Sequence, residues 1–139
     1  MRVLFTGIVL CVMVSSSTNA ASIGGLYKDC KKFADNSFEI RLSDNGSGTR
    51  CSIYFSAIRD FASEICIKWP DEDGFNAGAK NALNVMRKVY GVGGIDDASG
   101  INASIQHFVN AVANKPEDWK YSPESDVVKS LQAIGGACK

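Results

Sequence analysis

Few side chains in this sequence combine the residue type and the spacing that catalysis needs. His107 is the single histidine among 139 residues, so any serine–histidine or cysteine–histidine pair would have to include it. It lies next to Phe108 in a stretch with helical periodicity, where we expect a histidine at the surface or at the rim of the core. The sequence therefore assigns no catalytic residue and predicts a binding protein rather than an enzyme.

Neither the acidic run nor the glycine-rich run has the spacing of a known ligand site. Residues 71–73 are three consecutive acids, without the alternating ligands and the distal glutamate of a calcium-binding loop. Residues 91–100 contain Gly-x-Gly but no third glycine at the nucleotide-binding offset, and they follow a predicted helix rather than a strand. Asp60 and Glu64 lie one helical turn apart, as a carboxylate pair would, but we favour a solvated or interfacial side of the helix formed by Asp60 and Arg59. We therefore expect no metal and no cofactor.

Cysteines are the most informative side chains. Cys11 lies in the N-terminal apolar stretch, which leaves Cys30, Cys51, Cys66 and Cys138. An even number in an exported chain predicts two disulfides, and the lack of any Cys-x-x-Cys pair argues against zinc. Cys51 and Cys66 lie on one predicted helix, roughly 22 Å apart at the rise of an α-helix, which excludes their pairing. Of the two arrangements left, we favour Cys30–Cys51 with Cys66–Cys138 over Cys30–Cys66 with Cys51–Cys138.

The first twenty residues have the composition of a secretory signal peptide. One positive charge at Arg2 precedes about a dozen apolar residues, and small residues surround Ala20, where a signal peptidase would cut. The apolar stretch is too short to span a bilayer comfortably. We therefore predict a cleaved signal at residues 1–20, export to the periplasm, and no membrane segment after cleavage.

Residues 21–139 have the length of one compact domain. The whole chain carries 15 Lys and Arg against 15 Asp and Glu. Loss of Arg2 with the signal would leave a net charge of about −1. A protein without a basic excess does not attract nucleic acid, so we expect no nucleic-acid partner.

Apolar periodicity predicts an all-α fold, a compact bundle of about five helices. The expected helices cover residues 23–34, 49–68, 76–90, 103–114, and a last stretch that opens at Ser122-Pro123. Thr49, Asn102 and Ser122 are the expected N-caps, with Pro123 at the first helical position. Helix 49–68 is the most apolar, so we expect it to be central and nearly surrounded. Residues 37–42 alternate in polarity and are assigned to an extended loop.

The order of several short motifs resembles that of a known protein family. The first part runs through Cys30, Cys51-x-x-Tyr54, Asp60, and Cys66 close to Pro70. The tail continues with Gly100-Ile101, Asn114-Lys115-Pro116-Glu117, Ser122-Pro123 and Ala137-Cys138. Together they are similar to the Rap/Tai family of periplasmic immunity proteins, which protect bacteria against amidase effectors of type VI secretion. The resemblance covers most of residues 26–138 and departs from the family pattern at residues 71–99, which lengthen the connection after the proline.

This resemblance implies a non-catalytic homodimer that binds a secreted peptidoglycan amidase. Such an immunity protein blocks the substrate groove of the amidase, which holds a cysteine–histidine site, and thereby prevents self-intoxication. The resemblance also implies that Cys30, Cys51, Cys66 and Cys138 form structural disulfides. The alternative is a small periplasmic helical chaperone or stress protein, which would need exposed apolar surface.

Family motifs do not fix the inhibitory residues, so we infer them from loop composition. Residues 91–100 hold four glycines and form the longest flexible loop, which we expect to protrude into the amidase groove. The loop at residues 115–121 is the second candidate. The predicted partner-binding residues are Gly93, Gly94, Ile95, Asp96, Asp97, Ala98 and Ser99 in the first loop, and Trp119 and Tyr121 in the second.

Overall fold

The computed structural model describes residues 22–41, 43, 45–67, 71–95 and 97–138. The helices are α1 (Ile23–Asp35), α2 (Ser47–Cys66), α3 (Ala77–Tyr90), α4 (Ala98–Val112) and α5 (Glu124–Gly135). Short 3₁₀ turns precede α3 at Glu72–Gly74 and follow α4 at Pro116–Asp118. These described ranges contain five α-helices and no strand, which confirms the predicted all-α fold. The predicted signal at residues 1–20 lies outside the described residues, as do Pro70 and Asp96.

Four of the five helices share one core. Helix α1 packs against α2 and α4, and α4 packs along α5. At the centre, the rings of Phe55 on α2 and Phe108 on α4 meet edge to face, with 5.6 Å between centroids. Leu131 on α5 and Ile105 on α4 are fully buried beside them. None of the described helices is both long and apolar enough to cross a membrane.

Both predicted disulfides form. Cys30 on α1 bonds to Cys51 on α2, with 5.0 Å between their Cα atoms. Cys66 at the end of α2 bonds to Cys138 near the C-terminus, with 5.3 Å between their Cα atoms. The favoured pairing is therefore confirmed. The second bridge closes a loop of 72 residues and attaches the chain's tail to the end of α2.

Three predicted helix starts are wrong. Helix α2 begins at Ser47, so Thr49 lies inside its first turn. Helix α4 begins at Ala98, five residues before the predicted start, because Asp97 rather than Asn102 caps it. Helix α5 begins at Glu124, because the Pro123 carbonyl accepts the first helical hydrogen bond while the Ser122 hydroxyl bonds the Glu124 side chain.

Helix α2 is not nearly surrounded, which corrects the prediction from its composition. Its face towards α1 and α4 buries Cys51, Phe55 and Ala62. On the other side, Ile53 and Phe61 are 62% and 64% exposed. The helix is apolar on two faces, and the other described helices cover one of them.

Candidate functional site

The glycine-rich segment after α3, which the structure describes at residues 91–95 and at Asp97, is fastened to the body of the protein. Val92 and Ile95 are buried in the core. The Val92 amide donates to the Ala62 carbonyl of α2 (3.2 Å), and the Gly93 amide donates to the Gly136 carbonyl after α5 (3.0 Å). The segment is therefore a strap across the ends of α2 and α5, which corrects the expectation of a long flexible loop.

Two positions in this strap require glycine, one because neighbouring atoms leave no room for a Cβ and the other because of its backbone conformation. A Cβ at Gly91 would lie 2.0 Å from the Cys138 sulfur and 2.5 Å from the Arg87 carbonyl oxygen. Gly94 has φ +68°, a conformation that favours glycine, and packs on the Gly135 carbonyl. The Gln132 side chain donates to the Gly91 carbonyl at 2.9 Å. Glycine at these positions permits close packing rather than mobility.

The second half of the predicted loop belongs to helix α4. Ala98 and Ser99 lie in its first turn, and the Asp97 carboxylate accepts hydrogen bonds from the Gly100 amide and the Ser99 hydroxyl, both at 2.8 Å. The bond from Gly100, then that from Ser99, lowers the pKa of Asp97. Asp97, Ala98 and Ser99 are exposed, so the helix start presents an ionised carboxylate at the surface.

Two open clefts flank Arg59, where the strap and the start of α4 meet α2. The first has a volume of about 230 Å³ and is polar, with Asp60 and Ser63 on one wall and Gly94 and Ile95 on the other. Arg59 bonds the Asp60 carboxylate at 2.7 Å. Asp60 is 65% exposed and therefore offers its free lone pairs to a partner.

The second cleft is larger, about 390 Å³, and has an apolar floor with a polar rim. The floor includes Phe33, Phe38 and Ile101, and the rim includes Asp97 and Asn102. The structure thus brings Gly94, Ile95, Asp97 and Ala98 of the predicted binding set to the two clefts around Arg59. Sequence reasoning assigned Arg59 only to a solvated or interfacial side of its helix, because its position between two clefts depends on the packing of α2 against the start of α4.

The second predicted binding loop has a structural role that its composition did not indicate. Trp119 stacks on Tyr27 of α1 at 4.9 Å between ring centroids, and its indole donates to the Val112 carbonyl at 3.0 Å. The Tyr121 carbonyl accepts from the Ile23 amide at 2.8 Å, which fastens the start of α1. The Tyr121 ring is exposed, with the Lys120 amine 5.1 Å from its centroid.

The two predicted binding sets lie at opposite ends of α4. Asp97 caps the N-terminus of that helix, and Trp119 bonds Val112, its last residue. A helix of 15 residues is roughly 22 Å long. The structure therefore does not bring the two sets together, and each stays a separate candidate surface.

His107 is exposed at the surface of α4, which agrees with the expectation of a surface or rim histidine. Its Nδ1 is 3.2 Å from the Ser130 hydroxyl, which in turn donates to the Asp126 carbonyl at 2.8 Å. Ser130 is 1% exposed, so its oxygen is out of reach of a substrate. This serine–histidine pair therefore joins α4 to α5 and does not form a nucleophilic site. Among the described residues, no three His, Cys, Asp or Glu side chains cluster in a way that could hold a metal.

Tyr54 and Asp60 both belong to the motifs that resemble the immunity family, but one is partly buried between helices and the other is exposed. Tyr54 lies against the start of α5, and desolvation by burial, then the charge of Glu124 and its hydrogen bond, raises the pKa of Tyr54. Tyr54 therefore donates to Glu124 and acts as a link between two helices. Asp60 lies at the surface in the polar cleft.

Comparisons with known proteins give no relative for this chain. No protein-family model matches it, and no curated protein or solved structure matches it significantly. The resemblance to the amidase immunity family thus rests on the order and spacing of the motifs.

Proposed function

We propose that the protein is a periplasmic immunity protein that binds a type VI secretion peptidoglycan amidase and blocks its cysteine–histidine groove. The motif order supports this assignment. The structural feature that best supports it is the strap at residues 91–97. The strap is bound to α2, to the tail after α5 and to the Cys66–Cys138 bridge, yet it leaves Gly94 and Asp97 exposed. A fixed edge with polar groups at the surface suits a protein that blocks a groove, because little of it has to be ordered on binding.

A strap fixed in advance suits inhibition. Binding through a mobile loop costs the free energy of ordering it, whereas a strap held by backbone hydrogen bonds and a disulfide loses little entropy. The exposed carboxylates of Asp60 and Asp97 are acceptors for an imidazolium or for backbone amides. A cysteine–histidine amidase offers both kinds of donor in its groove.

The chemistry of the cysteines supports an exported location. Both disulfides are formed, and disulfides persist in oxidising compartments such as the bacterial periplasm. An oxidising, exported compartment follows from the bridges. The periplasm, as the specific location, is part of the proposal and is where a peptidoglycan amidase acts.

An inhibition assay with charge-reversal variants tests the proposal and separates the two candidate surfaces. Asp60→Lys changes the cleft beside the strap, and Glu117→Lys makes the same charge change in the turn before Trp119, at the other end of α4. We expect the unaltered protein to abolish peptide cleavage by its amidase at equal molar amounts. Asp60→Lys should weaken inhibition by at least about tenfold, and Glu117→Lys should not.

The opposite result would assign inhibition to the loop at residues 115–121. If the unaltered protein leaves every peptidoglycan amidase of the host active, the immunity function is wrong. A further variant, Asp97→Asn, keeps a side chain that caps α4 and removes the charge, so it probes binding without disturbing the helix.

One observation favours the chaperone alternative. Helix α3 exposes large apolar side chains, and a chaperone needs such surface to bind unfolded clients. Suppression of aggregation of an unrelated unfolded protein at acidic pH, with no effect on any amidase, would favour that function over immunity.

A further inference from the structure

Helix α3 shows an unusual relation between its sequence and its position. Six apolar residues lie within an arc of about 140° at 100° per residue, which ordinarily marks the buried face of a helix. None of the residues in α3 is buried. The large side chains of the arc are 45–54% exposed. The arc consists of Ala79, Ala82, Val85, Met86, Val89 and Tyr90, and we call it the α3 face.

The half-buried residues of α3 are Lys80, Leu83 and Arg87, so the edge of the helix that touches the rest of the protein is mostly polar. Arg87 donates to the carbonyls of Ile65 (3.1 Å) and Ile67 (2.9 Å) at the end of α2, and pairs with both oxygens of Glu72. The Lys80 amine donates to the Asp73 carbonyl at 2.9 Å. These bonds orient the helix so that the α3 face points away from the body.

We propose that the α3 face is the interface of a homodimer in which two α3 helices pack antiparallel across a two-fold axis. The resemblance implied a dimer without saying which surface forms it. The choice of surface here follows from α3 alone and does not depend on amidase inhibition.

Size is the first reason for a second copy as the occupant. Four large side chains of the α3 face are each about half exposed and lie side by side, and a contiguous apolar patch on a monomer is often functional. One partner in a standard interface contributes about 800 Å², so this face with its polar margin suits a dimer of modest affinity. We therefore expect dissociation in the micromolar range.

Shape is the second reason. The first half of the α3 face carries small residues and the second half carries large ones. In an antiparallel pair centred near Asn84, Ala82 of one copy faces Met86 of the other. Ala79 likewise faces Tyr90. Small residues opposite large ones fill an interface and let two helices approach to about 8–10 Å. A two-fold axis generates this match twice, as an isologous interface requires.

Charge is the third reason. Helix α3 carries three basic residues and no acid, so a parallel or poorly registered pair would bring like charges together. Arg87 and Lys80 are engaged on the body side. In the antiparallel pair, Lys88 at the margin of the face lies opposite Asn81, whose amide oxygen accepts a hydrogen bond. The chain can therefore pair with itself without burying an unmatched charge.

Sedimentation of the disulfide-bonded protein, with two variants on α3, tests this interface. Met86→Glu places a carboxylate at the centre of the face, and Asn84→Glu places the same charge on the same helix about half a turn away. We expect a mass of two chains for the unaltered protein and for Asn84→Glu. Met86→Glu should raise the dissociation constant by at least about a hundredfold, since it buries an unpaired charge. Both positions are exposed, so circular dichroism should show both variants folded.

A crosslinking variant tests the antiparallel register. Val85→Cys lies beside the proposed axis, so two copies should form an intermolecular disulfide, whereas Asn84→Cys should not. A protein that sediments as one chain at high micromolar concentration would overturn the proposal. So would a dimer that persists in Met86→Glu but is lost in Ile53→Glu, which alters the outer face of α2.

If Met86→Glu dissociates the dimer yet inhibits the amidase fully, the interface and the inhibitory strap are separate surfaces.

Discussion

Helices α3 and α4 are of similar length, and both carry a regular apolar face, yet they use it in opposite ways. Helix α4 (Ala98–Val112) buries its face, including Ile105, Phe108 and Val109, against α1 and α5. Helix α3 (Ala77–Tyr90) leaves its face exposed and touches α2 through polar bonds. One helix therefore holds the fold together, and the other leaves its apolar face exposed for the association we propose. Periodicity identifies an apolar face, but only the packing determines whether it points into the protein.

The largest effect should come from a cavity on α4. Phe108→Ala removes a fully buried ring that packs on Phe55 and should lower the free energy of unfolding by about 3–5 kcal/mol. The matched change on α3, Val89→Ala, should alter it by no more than about 0.5 kcal/mol in the monomer. Urea unfolding at low protein concentration measures both. Equal losses in the free energy of unfolding would show that α3 packs inward as α4 does, which would contradict the difference between the two helices.

The bridge beneath the strap should matter nearly as much. Replacing Cys66 and Cys138 by Ser opens a loop of 72 residues and should lower stability by about 4 kcal/mol, as an upper estimate. The Cys30–Cys51 bridge, with a separation of 21, should contribute about 3 kcal/mol. Only loss of the Cys66–Cys138 bridge should also weaken amidase inhibition, because the strap packs on that bridge at Gly91. Inhibition that survives reduction of that bridge would argue against a preformed strap.

The position of α3 should depend on its polar bonds. Arg87→Gln removes the pair with Glu72 and the bonds to the end of α2, so amide exchange in α3 should become roughly tenfold faster, with α4 unchanged. Arg41→Gln breaks an exposed pair with Glu39 and is the control. Hydrogen exchange read by mass spectrometry resolves the two helices. Unchanged protection of α3 would mean that apolar contacts hold it instead.

The smallest effect should appear at the start of α4. Hydrogen bonds from Gly100, then Ser99, lower the pKa of Asp97 in the folded protein. A lowered folded pKa means that the charge stabilises the fold above about pH 4, the usual range of an aspartate, and that this contribution is lost as the pH falls further. Thermal unfolding of the protein and of Asp97→Asn should therefore differ at pH 7 and converge near pH 2. A difference in unfolding temperature that stays constant across that pH range would show that the charge of Asp97 does not stabilise the fold.

Local sequence signals predicted most of the fold. Periodicity placed all five helices, and helical rise excluded the pairing of Cys51 with Cys66. Capping was less readable, because Asp97 lies among glycines and a serine that resemble a loop. The Asp97 side chain overrides that composition by accepting the Gly100 amide. Helix α4 consequently absorbs three residues that were assigned to a binding loop.

The candidate site was predicted only in part, for a reason of distance along the chain. Glycines indicated residues 91–97, but nothing local shows that Val92 and Ile95 are buried or that Gly93 bonds Gly136. The cleft at Arg59 depends on contact between α2 and the start of α4, about forty residues apart in sequence. Trp119 shows the opposite case. Its place in a loop indicated a binding residue, but in the structure it covers the core beside Tyr27.

The most direct test of the whole account is the mass of the complex between the disulfide-bonded protein and a peptidoglycan amidase of the cysteine–histidine type, measured by light scattering after size exclusion. A two-fold dimer presents two straps, one from each chain, so we predict two chains carrying two amidases, with no residual amidase activity. Separate elution of an active amidase would contradict the proposed function. An inactive complex of one chain with one amidase would uphold that function and contradict the dimer through α3.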